Sequence, residues 1–151
     1  MNRQEIDRQL QIDEGFTAVS KYDVNGWRYG FGCTAPGPGA IISRQAAEAL
    51  LSKRIDQAIQ EYHEIFADQP MSDTRQGALV NMIFNMGKGW YNEKTGKGKG
   101  FLAFHRMIAA IKADNWEEAV KQAEDSLWYE QLKDSGDPPG RARRIVAELR
   151  G

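Results

Sequence analysis

Cysteine is almost missing from this chain of 151 residues: Cys33 is the only one. No internal disulfide can form, which fits synthesis in a reducing compartment. Histidine is nearly as scarce, with His63 and His105 alone, so a zinc site built from soft ligands lacks donors. No window approaches 18 consecutive apolar residues, and no stable membrane insertion is expected. The opening residues, MNRQEIDRQLQIDEG, carry a charge every two or three positions and no apolar stretch, so no signal peptide is expected. Neither sign of charge dominates: 20 Lys and Arg face 21 Asp and Glu, for a net charge of −1. That balance argues against nucleic acid or an anionic membrane as the main partner. Internal repeats and linkers long enough to separate independent domains are absent as well.

What is present reads as a globular protein, with 41% hydrophobic and 27% charged residues. A chain this long buries roughly 70% of its unfolded surface and needs neither disulfide nor metal to fold. Residues 3–13 read as a helix with Ile6, Leu10 and Ile12 on its apolar side and Gly15 as its stop. From Ser20 to Phe31, strand-forming residues surround Asn25-Gly26, a hairpin signal, and CTAPGPGAI (33–41) reads as a loop. Ser43 caps a long helix whose stripe is Leu51, Ile55, Ile59, Tyr62 and Phe66. Ser72 or Asp73 caps a helix over QGALVNMIFNM (76–86) that is apolar on most sides. Residues 87–100, with Lys88, Lys94, Lys97 and Lys99, read as a loop, and 101–112 as a helix. Asp114 and Glu117 form a capping box for a helix over 115–132 with Trp116, Val120, Ala123 and Leu127 inward. DSGDPPG (134–140) breaks the chain before a last helix over 141–150 with Ile145 and Leu149 on one side. The class is α+β, mainly helical, with its strands in one short stretch.

Chemistry concentrates in DEGFTAVSKYDVNGWRYGFGC (13–33). Glu14 ends the first helix, where the chain turns at Gly15, a place from which a carboxyl can serve as a general acid if its surroundings are apolar. Asp23 follows nine residues later, in the hairpin. Two carboxylates flanking a bond are the equipment of glycoside hydrolysis, although acidic pairs at this spacing are also common on solvated surfaces.

Six segments in order carry a likeness that covers nearly the whole chain: LQIDEG (10–15), DVNG with GFG (23–32), ISRQAAEALLSKRIDQAI (42–59), GALVNMIFNMG (77–87), WEEAVKQAEDSLWY (116–129) and RARRIVAELRG (141–151). Together they resemble the bacteriophage lysozymes of the T-even type, glycoside hydrolase family 24. The resemblance implies a lysozyme-like fold: a small N-terminal β-hairpin lobe (about 13–42), an interlobe helix (about 43–66), a helical lobe (about 72–151 with the N-terminal helix), and a cleft between the lobes. It implies an endolysin that cuts the β-1,4 bond between N-acetylmuramic acid and N-acetylglucosamine in peptidoglycan. Glu14 would be the general acid, and Asp23 would position water or stabilise the oxocarbenium ion. No cofactor is implied. The glycan strands of peptidoglycan are the implied partner, and the likeness favours a monomer. Such an enzyme would be made in the host cytoplasm and depend on a separate membrane pore to reach the wall.

The likeness departs at one place. The family carries Thr within Thr-Ile-Gly-aromatic-Gly-His; counted from Asp23 that position is Tyr29, and counted back from GFG it is Arg28. Cys33 stands where the His would be. A Tyr29 hydroxyl could hold a water, and Arg28 could pair with Asp23. Substrate contacts are expected from Arg28, Phe31, Asn81, Phe84 and Asn85, and from Arg141 a guanidinium that holds the catalytic carboxylate. Two other readings remain: a lytic transglycosylase using Glu14 alone, and a binding or scaffold module without turnover.

Overall fold

The computed structural model describes residues 1–136 and 139–151, so that part of the break expected over 134–140 lies outside the described residues. The elements run α1 (Arg3–Glu14), β1 (Thr17–Asp23), β2 (Gly26–Gly30), β3 (Cys33–Thr34), α2 (Arg44–Phe66), α3 (Asp73–Met86), β4 (Trp90–Asn92), β5 (Lys97–Lys99), a 3-10 turn (Phe101–Ala103), α4 (His105–Lys112), α5 (Trp116–Glu124), α6 (Leu127–Leu132) and α7 (Arg141–Arg150). The fold is α+β and mainly helical. It divides into two compact units, Gln4–Gln57 and Met1–Arg3 with Ala58–Gly151.

The first unit holds the three-stranded antiparallel sheet, in the order β1-β2-β3. Its hairpin closes one residue earlier than the Asn-Gly signal suggests: Asp23 pairs with Gly26, leaving Val24 and Asn25 as the turn. Neither turn residue has a positive φ; that conformation falls on Gly26, at 112°. Asp23 Oδ1 accepts from the Asn25 N–H at 2.7 Å, a side-chain turn that fixes the corner. The loop expected over 33–41 is partly sheet, because Cys33 and Thr34 pair with Tyr29 and Arg28, and Ile41 bridges to Val19. Ser43 Oγ accepts from Ala46 N–H at 3.1 Å and so opens α2 as its sequence requires. The first part of the expected stripe is in place, with Leu51 and Ile55 buried.

The second unit is helical. Ser72 caps α3, accepting from Arg75 N–H, and Ala78 to Ile83 are buried without a break, the all-round burial expected of a central helix. α3 packs against α7, and α5 packs against α4 and α7. Leu79, Met82, Phe101, Met107, Ile111, Ile145 and Leu149 form a solvent-free core, each worth about 1.5–3 kcal/mol of burial. On α2, Ala58 and Tyr62 are buried, whereas Ile59 is only half-buried. Five expectations fail here. The helix over 115–132 is broken at Asp125–Ser126 into α5 and α6, each with its own cap, Asn115 and Ser126. Asp114 does not cap: it has φ 55°, and its carboxylate accepts instead from Trp116 Nε1 at 2.6 Å. Leu127, expected inward, is 72% exposed. The 87–100 segment is not a loop but the β4–β5 hairpin. The helix expected from 101 begins as a 3-10 turn and becomes α-helical at His105.

Candidate active site

Strand register places the hairpin side chains. Residues directly opposite each other in an antiparallel pair point to the same face, and neighbours along a strand alternate. Lys21 is opposite Arg28, Asp23 is opposite Gly26, and Arg28 is opposite Thr34. Asp23, Lys21, Arg28 and Thr34 therefore share one face. Tyr22 and Trp27, in edge-to-face contact at 5.4 Å, share the other with Tyr29 and Cys33. Of the two candidates for the third position, Arg28 is on the face of Asp23 and Tyr29 is on the reverse.

Arg28 links that face together. Its Nε is 4.0 Å from Asp23 Oδ2, and its Nη1 donates to Thr34 Oγ1 at 2.9 Å. Thr34 is exposed, so its hydroxyl retains acceptor capacity toward solvent. Nothing in the sequence marked this residue: a two-residue strand is too short to show a period, and the preceding Pro-free dipeptide borders a Gly/Pro loop.

Glu14 is the last residue of α1, and the chain turns at once at Gly15, with φ 65°. Its half-buried carboxylate lies against the turn that opens β3. A methyl group placed on Gly32 would be 3.4 Å from Glu14 Oε2. Gly32 itself has φ 74°, a left-handed conformation costly for any side chain. Two residues on is Thr34. The contacts thus run from Glu14 to the Gly32 turn, through β3 to Thr34, and across Arg28 to Asp23, all within residues 4–57.

Phe31 is not available as a sugar platform. Its ring is 1% exposed and packs on Phe16 at 5.5 Å, with the Arg44 guanidinium over both rings. Its carbonyl accepts from Arg54 Nη1 at 2.9 Å, so it anchors the end of the hairpin on α2. The alternation of aromatic residues could not distinguish this buried ring from exposed Tyr22.

The remaining candidates belong to the helical unit. Asn81 and Arg141 are both buried, and Arg141 Nε donates to Asn81 Oδ1 at 3.0 Å, joining α3 to α7. Asn85 is exposed and accepts from Trp128 Nε1 at 3.0 Å, while Phe84 beside it is half-buried. Two grooves of this unit, about 380 Å³ along α5 (Trp116, Val120, Glu124) and about 200 Å³ beside Phe104 and Ser126, are lined by none of the candidate residues. Among the described residues no cluster of three or more His, Cys, Asp or Glu could hold a metal ion, and no helix is long and apolar enough to cross a membrane.

A helix ending in Glu-Gly, a three-stranded hairpin sheet bearing Asp23, and a helical unit built around α3 are consistent with an α+β lysozyme-like fold. The sequence profile of the phage lysozymes matches residues 11–136, and the chain belongs to that family. It is similar to the pre-baseplate central spike protein Gp5 of Enterobacteria phage T4, 40% identical over 78 residues, which is 52% of this chain and 11% of that protein. The chain thus spans only a small part of the length of this relative.

Proposed function

We propose that the chain hydrolyses the β-1,4 bond between N-acetylmuramic acid and N-acetylglucosamine in bacterial peptidoglycan. The observation that carries this reading is that Glu14 and Asp23 are borne by one compact unit, with Asp23 tied through Arg28 to Thr34, two residues beyond the Gly32 turn that Glu14 lies beside. Glu14 gives its proton to the leaving glycosidic oxygen as the bond to the anomeric carbon breaks. Asp23 faces the positive charge that develops on the ring and accepts a proton from the attacking water. Arg28 orients the Asp23 carboxylate, and the Thr34 hydroxyl, held by Arg28, takes the place of the small hydroxyl that the hairpin lacks at positions 28 and 29. Tyr29 is assigned to packing on the reverse face. On the helical unit, Asn85 and Phe84 offer an amide and an aromatic edge to the glycan, and the buried Asn81–Arg141 pair supports α3 beneath them.

Wild-type protein and Glu14→Gln, incubated with purified peptidoglycan, test the reading. Reducing muramic acid ends in the products of the wild type alone support it. Anhydro ends would replace hydrolysis by transglycosylation, and no cleavage by folded wild type would overturn an enzymatic role.

Action at the wall after a separate membrane pore opens is the setting we infer for a lysis enzyme. Similarity to a spike protein favours a second setting, in which the unit is carried on the virus particle. Immunodetection in purified particles against cleared lysate separates the two.

A further inference from the structure

The β4–β5 hairpin is built as a one-sided platform. Trp90 is opposite Lys99, Tyr91 opposite Gly98, and Asn92 opposite Lys97. Trp90, Asn92, Lys97 and Lys99 therefore share one face, and Tyr91 and Gly98 share the other. The second face is packed: Tyr91 stacks on His105 with centroids 4.1 Å apart and planes 9° from parallel, and a methyl group on Gly98 would lie 3.0 Å from Ala103 Cβ. The base of the hairpin is pinned by Phe101 N–H to Gly87 O at 2.8 Å and Leu102 N–H to Lys88 O at 2.9 Å. There Gly89 approaches the Lys99 carbonyl so closely that an added Cβ would be 1.7 Å from its oxygen. The tip is fixed by Asn92 Oδ1, which accepts from the N–H groups of Lys94 and Thr95.

The first face is open to solvent. Trp90 is 52% exposed, Lys97 and Lys99 are exposed, and among the described residues neither lysine has a carboxylate partner. Lys88, by contrast, is taken up by Glu64. A rigid strand pair that presents an indole with two ammonium groups beside it suits a ligand with a sugar ring to stack and an acid group nearby. Rigidity also lowers the ordering cost of binding.

The geometry points to a second binding site on the Trp90–Lys97–Lys99 face, whose ligand is an acidic peptidoglycan strand: a glycan ring rests on Trp90, and stem-peptide carboxylates engage Lys97 and Lys99. This rests on the peptidoglycan reading of the active site and adds a hold on the polymer carried by the helical unit.

The test uses Glu14→Gln protein, which leaves the polymer intact, and purified sacculi in a sedimentation assay. Trp90→Ala and, separately, Lys97→Glu/Lys99→Glu are expected to weaken binding about tenfold, the loss of one anchor in a small contact face. Amidation of the sacculus carboxylates should remove the lysine contribution. With Glu14 restored, the same changes should raise the apparent KM on sacculi and leave turnover of a short soluble glycan unchanged. Exposed positions make the lysine variant safe for folding, and near-ultraviolet circular dichroism checks Trp90→Ala. Binding within twofold of the parent for both variants overturns the inference, even if wild-type cleavage is intact. So does equal binding to anionic phosphatidylglycerol vesicles that the variants lose, which would make the ligand a lipid. Failure of wild type to cleave would instead strike the active-site reading.

Discussion

Arg28 stands between Asp23 and Thr34 on one face of the hairpin sheet, 4.0 Å from the carboxylate and donating to the hydroxyl at 2.9 Å. If this row positions the attacking water, Thr34→Val should lower kcat about 100-fold with little change in KM, a loss typical of a misplaced proton-transfer partner. Thr34→Ser should recover most of it, which a packing role for the methyl group would not allow. Arg28→Ala should behave like Thr34→Val, and Tyr29→Phe should stay within about twofold of wild type. Steady-state kinetics on a soluble glycan make the comparison.

Glu14→Gln keeps the shape and removes the acid, so cleavage should fall by about 1,000-fold or more. Gly32→Ala probes the same carboxylate from the other side. A methyl group at φ 74° costs about 1–2 kcal/mol, and it would come into van der Waals contact with Glu14 Oε2 and displace any water beside it. The expected result is lower thermal stability together with a kcat loss larger than that stability change explains.

The Asn81–Arg141 bond is buried at both ends. Asn81→Leu withdraws an acceptor from a buried guanidinium. Urea denaturation should show a loss of about 1.5–3 kcal/mol, the cost of a hydrogen bond to a buried charged group. Asn85→Ala, on the exposed side of the same helix, should cost well under about 1 kcal/mol.

Glu64 offers a pH test. Its hydrogen bond from Lys88, with a second from Gln60, holds its carboxyl below the ordinary value of 4.5. A depressed acid contributes stability above its unfolded pKa and loses it as pH falls through the folded value. Lys88→Ala should therefore move the Glu64 titration up in a carboxyl-carbon NMR experiment. The difference in melting temperature between the two proteins should shrink as pH drops through that titration.

Long periodic segments were legible in the sequence because a helix that buries one side must repeat: α1 and α7 fall where Ile6, Leu10, Ile145 and Leu149 demand. The short strands were not. Cys33–Thr34, Trp90–Asn92 and Lys97–Lys99 are two or three residues long and bordered by Gly or Pro, so no alternation could accumulate. Neighbouring residues also competed: Asn115 capped α5 where Asp114 was expected, because Asp114 adopts a left-handed φ and bonds Trp116. In the candidate site, the positions of Glu14 and Asp23 on a helix end and a hairpin could be read directly. Which of Arg28 and Tyr29 shares a face with Asp23 follows from parity: the observed turn at Val24–Asn25 and the expected one at Asn25–Gly26 both put Arg28 on that face, but only the observed turn sets Gly26 rather than Arg28 directly opposite Asp23. The burial of Phe31 depends on α2, a partner distant in sequence.

Cys33 gives the molecule an internal clock. Its thiol is covered within β3, opposite Tyr29, with Arg54 Nη1 3.8 Å away, and no other thiol competes for a reagent. With only 9% of the residue exposed, an alkylating probe reacts far faster when β3 detaches, so the labelling rate of unmodified protein reports on the opening of the sheet that carries Asp23. Comparing that rate with global unfolding would show whether this sheet opens alone, and whether bound glycan keeps it shut.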